Sequence, residues 1–276
     1  MPFSLPTVVI TGATSGIGHA TARRLVEGAQ VVVHGRTASD ADDAAARLVA
    51  DGADPAGLHT VSADFTRLSD VTAMARELCA RHDRIDTLVL NAAVVGPQGR
   101  AVTEDGNELS FQVNYLAPYL LTRLLMAPLR AAPRGRVVAV SSALHRSANI
   151  DWGDPQRTRF YSPVAAYAQS KLALSMFARA MARDQVGVTA ISMHPGVVDT
   201  ALLPVYSWVG GAVGEAAVLL TRLSWPGFDV VNGAYYDGDV PAAAAALVDN
   251  PDAVRRLWKL SVRIIGQDRF AVAQAA

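Results

Sequence analysis

The sequence predicts an α/β protein built on one doubly wound parallel sheet with helices on both faces. Short β-branched runs alternate along the chain with longer Ala-, Leu- and Arg-rich segments of helical period, the pattern of strands joined by crossover helices. The first run, "TVVITG", leads through Gly12, Gly16 and Gly18 directly into a helical segment, so strand, turn and helix follow in the order that seats a nucleotide. No repeat, low-complexity tract or Pro/Gly/Ser linker divides the 276 residues. Residues 1–276 therefore read as a single domain.

Strands are expected at "TVVITG", "QVVVHG", "LHTVSAD", "TLVLNA", "RVVAVSS" and "VTAISMHPG", with helices beginning near Gly16, Ser39, Ser69, Asn107 or later, Pro163 and Val213. Cys79 shares helical spacing with Val71, Ala75 and Leu78, which predicts a buried core thiol rather than a nucleophile. The Ala-rich "VPAAAAALVDNPDAVRRLW" reads as a helix with its surface turn. Both "YLAPYLLTRLLMAPL" and "YAQSKLALSMFARAM" carry more apolar residues than one helix face needs.

Composition removes several classes of function. Lys+Arg and Asp+Glu balance at 25 each, with no basic block, so the electrostatic footprint of a nucleic-acid binder is missing. One cysteine excludes an internal disulfide framework and a thiolate-rich metal site, and no metal is expected. The opening "MPFSLPTVVITGA" lacks the basic segment and long apolar run of a signal peptide, and no later stretch reaches the roughly 18 apolar residues of a membrane span. A cytoplasmic protein without a membrane span is expected.

In doubly wound sheets ligands bind outside the carboxyl ends of the strands, where strand order reverses. Thr11 to Gly18, Asp64, Asn91, Ser141 to Ser142 and His194 to Gly196 all follow predicted strands, so they should converge on one edge. The glycines allow a tight turn and close approach of backbone to a pyrophosphate, and the following helix presents unpaired N–H groups. Their spacing is G-x-x-x-G-x-G, and a plain structural turn is the alternative. After the second strand come His34, Gly35 and Arg36, with the first acid only at Asp40. A carboxylate there would favour a ribose 2'-hydroxyl, whereas an Arg fork suits a 2'-phosphate. NADP(H) is thus expected over NAD(H), unless Arg36 is only a solvated charge.

Tyr167 and Lys171 stand four residues apart at the start of a predicted helix, hence on one face. A phenol holds its proton up to a pKa of about 10, and a neighbouring cation favours the phenolate.

With "TGATSGIG", "LNAA", "FQVNYLAPYLL", "VVAVSS", "YAQSK" and "HPGVVDT" in that order, the chain resembles the short-chain dehydrogenase/reductase family from about Pro6 to about Gly266. The long segment between Ser142 and Tyr167 and the ending "LWKLSVRIIG" resemble the branch of retinol dehydrogenases and WW-domain oxidoreductases. The resemblance implies a Rossmann-type fold and hydride transfer between NADP(H) and a carbonyl or alcohol, a small-molecule substrate. It makes Tyr167 the general acid/base, Lys171 its tuner and Ser142 the hydrogen-bonding partner of the substrate oxygen, with Ser141 the alternative. Asn114 matches the asparagine that interrupts a helix and binds a relay water leading to the lysine. Asp64 matches the acceptor of the adenine amino group, and Asn91 the residue that stabilises the central strand.

By the same resemblance Thr11, Gly12, Thr14, Ser15, Gly16, Ile17 and Gly18 form the cofactor turn, with Phe65 and Ala92 also in the cofactor set. Pro195, Gly196 and Val197 pass the nicotinamide, and Thr200 reaches a phosphate or the amide. His194 is structural on this reading. A segment near 198–230 covers the substrate, where Tyr206, Trp208 and Trp225 either line the pocket or pack. The two apolar helices pair in related proteins, so a homodimer or homotetramer is expected. A nucleotide-binding sensor or scaffold, or a double-bond reductase on the same frame, are the alternatives.

Overall fold

The computed structural model describes residues 5–198, 210–266 and residue 269. The strands are β1 (Thr7–Ile10), β2 (Gln30–Gly35), β3 (Leu58–Ser62), β4 (Thr87–Leu90), β5 (Arg136–Val140), β6 (Thr189–His194), β7 (Tyr235–Asp237) and β8 (Val240–Ala242). They form one eight-stranded sheet in the order β3-β2-β1-β4-β5-β6-β7-β8. Every pairing is parallel except β7 with β8. Strand order reverses between β1 and β4, which opens the crevice expected of this topology.

The helical elements are α1 (Gly16–Leu25), α2 (Ala38–Ala50), α3 (Leu68–Arg81), α4 (Leu109–Phe111), a π-turn (Gln112–Leu116), α5 (Ala117–Leu124), α6 (Met126–Ala131), a 3-10 turn (Ala143–Ser147), α7 (Pro163–Asp184), α8 (Val213–Ser224), α9 (Ala246–Asp249) and α10 (Pro251–Ile265). Local chemistry fixes several of their starts. Thr37 and Asp40 form a reciprocal capping box on α2, and Ser162 with Pro163 opens α7. Alternate strand residues feed opposite layers. Val9, Val32, Leu88 and Val137 join the core under α3, α5 and α7, whereas Val8, Val31, Val89 and Val138 join the core under α1 and α8.

Every strand read from the sequence forms, and two more follow them. The edge hairpin β7–β8 turns through Gly238, whose φ is +66°. Its three-residue strands are too short for periodicity to reveal, although "YYDGDVP" holds the Gly-Asp pair of a two-residue hairpin loop. This corrects the reading of "VPAAAAALVDNPDAVRRLW": Val240–Ala242 is a strand, and a turn separates it from α9 and α10. Cys79 is likewise exposed rather than buried. Val71, Ala75 and Leu78 fill the core face of α3, while the Cys79 thiol lies at its edge in the last turn, 3.9 Å from the Leu124 carbonyl where α5 ends.

α5 and α7 are buried over nearly their whole circumference. The apolar excess on which the expected oligomer rests is covered by α10 of the same chain, whose Trp258 meets Tyr119 and Phe177.

Candidate active site

At the reversal point Thr11 and Asn91 knot β1 to β4. Thr11 Oγ1 donates to the Val89 carbonyl at 3.1 Å and accepts from the Asn91 and Ala92 amides at 2.9 and 3.1 Å. The Asn91 amide donates to the Thr11 and Gly12 carbonyls, each at 2.9 Å. Gly12 and Gly16 take φ of +63° and +53°, a region costly for other residues. A Cβ on Gly12 would lie 2.8 Å from Ala92 Cα, and one on Gly18 2.3 Å from the Gly12 carbonyl oxygen. Only glycine fits these two places.

α1 begins at this turn with Ser15 as N-cap, no side-chain cap and no acid in its first turn. Its first N–H groups are therefore left for an anion. The turn borders a cleft of about 690 Å³ that runs past Arg36, Asp64, Phe65, Asn91 and Ala92 to Val94 and Val113. Gly12, Thr14, Ser15, Gly16 and Ile17 also line it. Asp40 reaches it too, but its carboxylate accepts from the Thr37 amide. Arg36 makes no side-chain hydrogen bond or ion pair among the described residues. Asp64 Oδ1 is held by the Thr66 amide and hydroxyl at 2.9 and 2.8 Å.

Sequence reasoning read His34 only as the absence of an acid, yet it braces the turn from below. Its Nδ1 accepts from the Gly12 amide at 3.0 Å, so Nε2 carries the proton and donates to the Ala63 carbonyl at 3.1 Å. The ring stacks on Phe65 at 4.7 Å, and burial lowers its pKa to about 4, which keeps it neutral. His34→Phe would retain the stack but leave the Gly12 amide and Ala63 carbonyl unpaired. A loss of about 1–3 kcal/mol in denaturant unfolding is expected, and unchanged stability would contradict the brace.

On the other side of the crevice α7 carries Tyr167 and Lys171. Tyr167 and Lys171 are 3% and 2% exposed. The Lys171 Nζ lies 5.6 Å from the centre of the Tyr167 ring and donates to the Val140 carbonyl at 2.8 Å. Burial pulls the ammonium down to about pKa 7. Ile17, Asn91, Ser141, His194, Pro195 and Gly196 share this pocket with the pair, so the glycine turn and α7 meet there. The two serines separate by their partners. Ser141 Oγ donates to the Lys171 carbonyl at 3.1 Å and accepts from Ser175 at 2.8 Å, which ties it to α7. Ser142 Oγ accepts from the Leu144 amide at 3.1 Å at the head of the 3-10 turn.

Asn114 sits inside the π-turn, a feature that often marks functional sites. Its side chain pairs with the Val94 amide and carbonyl at 2.8 and 2.9 Å and donates to Ser170 Oγ at 2.9 Å. Ser170 in turn donates to the Tyr167 carbonyl at 2.7 Å. Val94 and Ser170 are links that no sequence pattern announced.

His194 is 6% exposed, its Nδ1 has no hydrogen-bond partner among the described residues, and burial lowers its pKa. Val197 offers its carbonyl to the Gly211 amide at 2.8 Å. Thr200, Tyr206 and Trp208 lie outside the described residues. Trp225 is removed from the site: its indole packs over Gly28, where a Cβ would lie 2.9 Å away, beyond the far end of α1. It is a packing residue. Among the described residues no group of three or more His, Cys, Asp or Glu could hold a metal, and no helix is long and apolar enough to cross a membrane.

The family model described as short chain dehydrogenase matches residues 6–207. The chain is a short-chain dehydrogenase/reductase. Mouse polyprenol dehydrogenase is 37% identical over 281 residues, covering 94% of this chain and 83% of that protein. Human retinol dehydrogenase 13 is 32% identical over 292 residues, covering 97% and 87%. These similarities put the chain in the retinol dehydrogenase branch of the family. An uncharacterized protein from Mycobacterium paratuberculosis shares the fold with a TM-score of 0.78 at 28% identity, covering 95% of this chain and 94% of that one.

The dehydrogenase family uses NAD(P)(H), and the residues of this site fit such a group. The side-chain-free turn at Gly12 and Gly18 and the uncapped start of α1 suit a pyrophosphate. The buried Lys171 ammonium, with one acceptor for its three protons, has donors left for ribose hydroxyls.

Proposed function

We propose that the chain is an NADP(H)-dependent oxidoreductase of carbonyls and alcohols in which Tyr167 is the general acid/base. The observation that carries this reading is the buried Tyr167–Lys171 pair on one turn of α7, facing the cleft that begins at the glycine turn. A pure nucleotide sensor has no use for such a pair.

In the reductive direction Tyr167 Oη gives its proton to the oxygen of the substrate as charge develops there; in oxidation it takes one. The Lys171 ammonium beside the ring favours the phenolate and so lowers the cost of that transfer. Ser142 hydrogen-bonds the substrate oxygen, a contact that strengthens as it gains charge. Asn114 anchors the route by which a water chain re-protonates the pair through Lys171. Thr11, Gly12 and Asn91 shape the dinucleotide seat, and Asp64 accepts from the adenine. Pro195, Gly196 and Val197 would hold the nicotinamide, which when bound supplies or accepts the hydride.

The unpaired Arg36 at the end of β2 supports NADP(H) over NAD(H). Arg36→Leu is expected to weaken NADPH binding by roughly 10–100-fold, the worth of one charge-assisted contact, with NADH affected by less than about threefold. Equal losses for both cofactors in a fluorescence titration would contradict the assignment.

An apolar substrate, of the isoprenoid-alcohol or aldehyde kind, fits the names of the relatives and the exposed apolar side chains that precede Tyr167 in the chain. Phe160 and Val164, just ahead of Tyr167, are 84% and 44% exposed. The test mixes the protein with NADPH and isoprenoid aldehydes, short ketones and enones, following loss of reduced cofactor. Fastest turnover on the apolar aldehydes supports the reading, and cofactor binding with no turnover on any carbonyl overturns it.

A further inference from the structure

α10 does more than fill a groove. The Trp258 ring meets Tyr119 edge-on at 5.1 Å and lies nearly parallel to Phe177 at 6.1 Å, with the Arg123 guanidinium 4.9 Å above the indole. One turn further along, Ser261 and Tyr115 share a 2.5 Å hydrogen bond in the buried interior. Ser261 Oγ spends its only proton on the Leu257 carbonyl at 2.9 Å. Tyr115 is therefore the donor.

Tyr115 belongs to the π-turn and is the direct neighbour of Asn114. A π-turn is rare and occurs mostly as a single turn inserted in an α-helix, and here side-chain contacts from outside it hold its register. Here the contacts come from different directions. Gln112 accepts from Thr103 Oγ1 and Asn107 Nδ2 at 2.7 and 2.8 Å and donates to the Phe65 carbonyl at 3.2 Å. Asn114 is held by Val94 and Ser170. The anchor at Tyr115 comes from α10.

We propose that α10 is a built-in partner for the α5/α7 face and that, through the Tyr115–Ser261 bond, it fixes the π-turn that presents Asn114 to Ser170. Tyr115 and Ser261 are positioning residues, and their catalytic consequence rests on the proposed role of Asn114.

The test uses the full chain and the variants Tyr115→Phe, Ser261→Ala and the double variant. Hydrogen exchange of the amides in residues 109–117 should speed up about tenfold in each variant, as expected for loss of one buried hydrogen bond. In the active enzyme kcat should fall by about tenfold, with KM for NADPH changed less than about twofold. The double variant should be no worse than either single one, because one bond is removed in all three. Unchanged exchange in residues 109–117, an unchanged kcat, or additive losses would each overturn the proposal. If the wild-type protein reduces no carbonyl, the oxidoreductase reading fails, while exchange still decides whether α10 clamps the π-turn.

Discussion

Tyr167→Phe is expected to lower kcat by ~10²–10⁴-fold, the range for a positioned general acid/base, while NADPH binds as tightly as before. The substitution removes one oxygen from a ring that is 3% exposed and already packed, so the fold has little reason to change. The glycine turn, the α1 terminus and Arg36 are untouched, which is why cofactor affinity should persist. Loss of rate with a raised KM for NADPH would instead make Tyr167 a binding residue. Unchanged turnover would remove it from the chemistry.

Lys171→Met is expected to separate stability from activity. The ammonium is 2% exposed and accepted only by the Val140 carbonyl among the described residues, so burial holds its pKa near 7 against about 10.4 in an unfolded chain. A lowered lysine destabilises the fold wherever the unfolded chain is protonated. That penalty is full below pH 7, shrinks as pH rises toward 10 and vanishes above the unfolded value. Methionine removes the penalty and loses one hydrogen bond, a net gain of about 2–3 kcal/mol at pH 7. The variant should therefore melt roughly 4–8 °C higher at pH 7, with the gap closing by pH 10, and should lose at least about 10²-fold in kcat. A melting temperature below that of the wild type at pH 7 would show that Lys171 is a structural cation rather than a strained catalytic one.

The parts of this site that could be read from the sequence were those imposed by local chemistry. Strand ends locate Thr11, Asn91, Ser142 and Pro195 because a parallel sheet sends every strand's carboxyl end to one edge. Tyr167 and Lys171 declare themselves by helical spacing. What escaped depends on tertiary contact. The bracing tautomer of His34 needs Gly12 and Ala63 to approach it from two strands. The link from Asn114 to Tyr167 passes through Ser170, and the anchor of Tyr115 comes from 146 residues further along the chain. Cys79 shows the same limit from the other side: helical spacing placed it on the core stripe, but the end of α5 leaves it exposed. Sequence left Trp225 open between lining the pocket and packing, and in space it packs on Gly28.

The most direct test of the central claim follows the transferred hydride. NADPH carrying deuterium at the reactive C4 position is incubated with the enzyme and an α,β-unsaturated isoprenoid aldehyde, and the product is read by NMR. The account predicts an allylic alcohol with one deuterium on the former carbonyl carbon, absent in Tyr167→Phe on the same timescale. Deuterium on the β-carbon of a saturated product would make the protein a double-bond reductase and contradict the account.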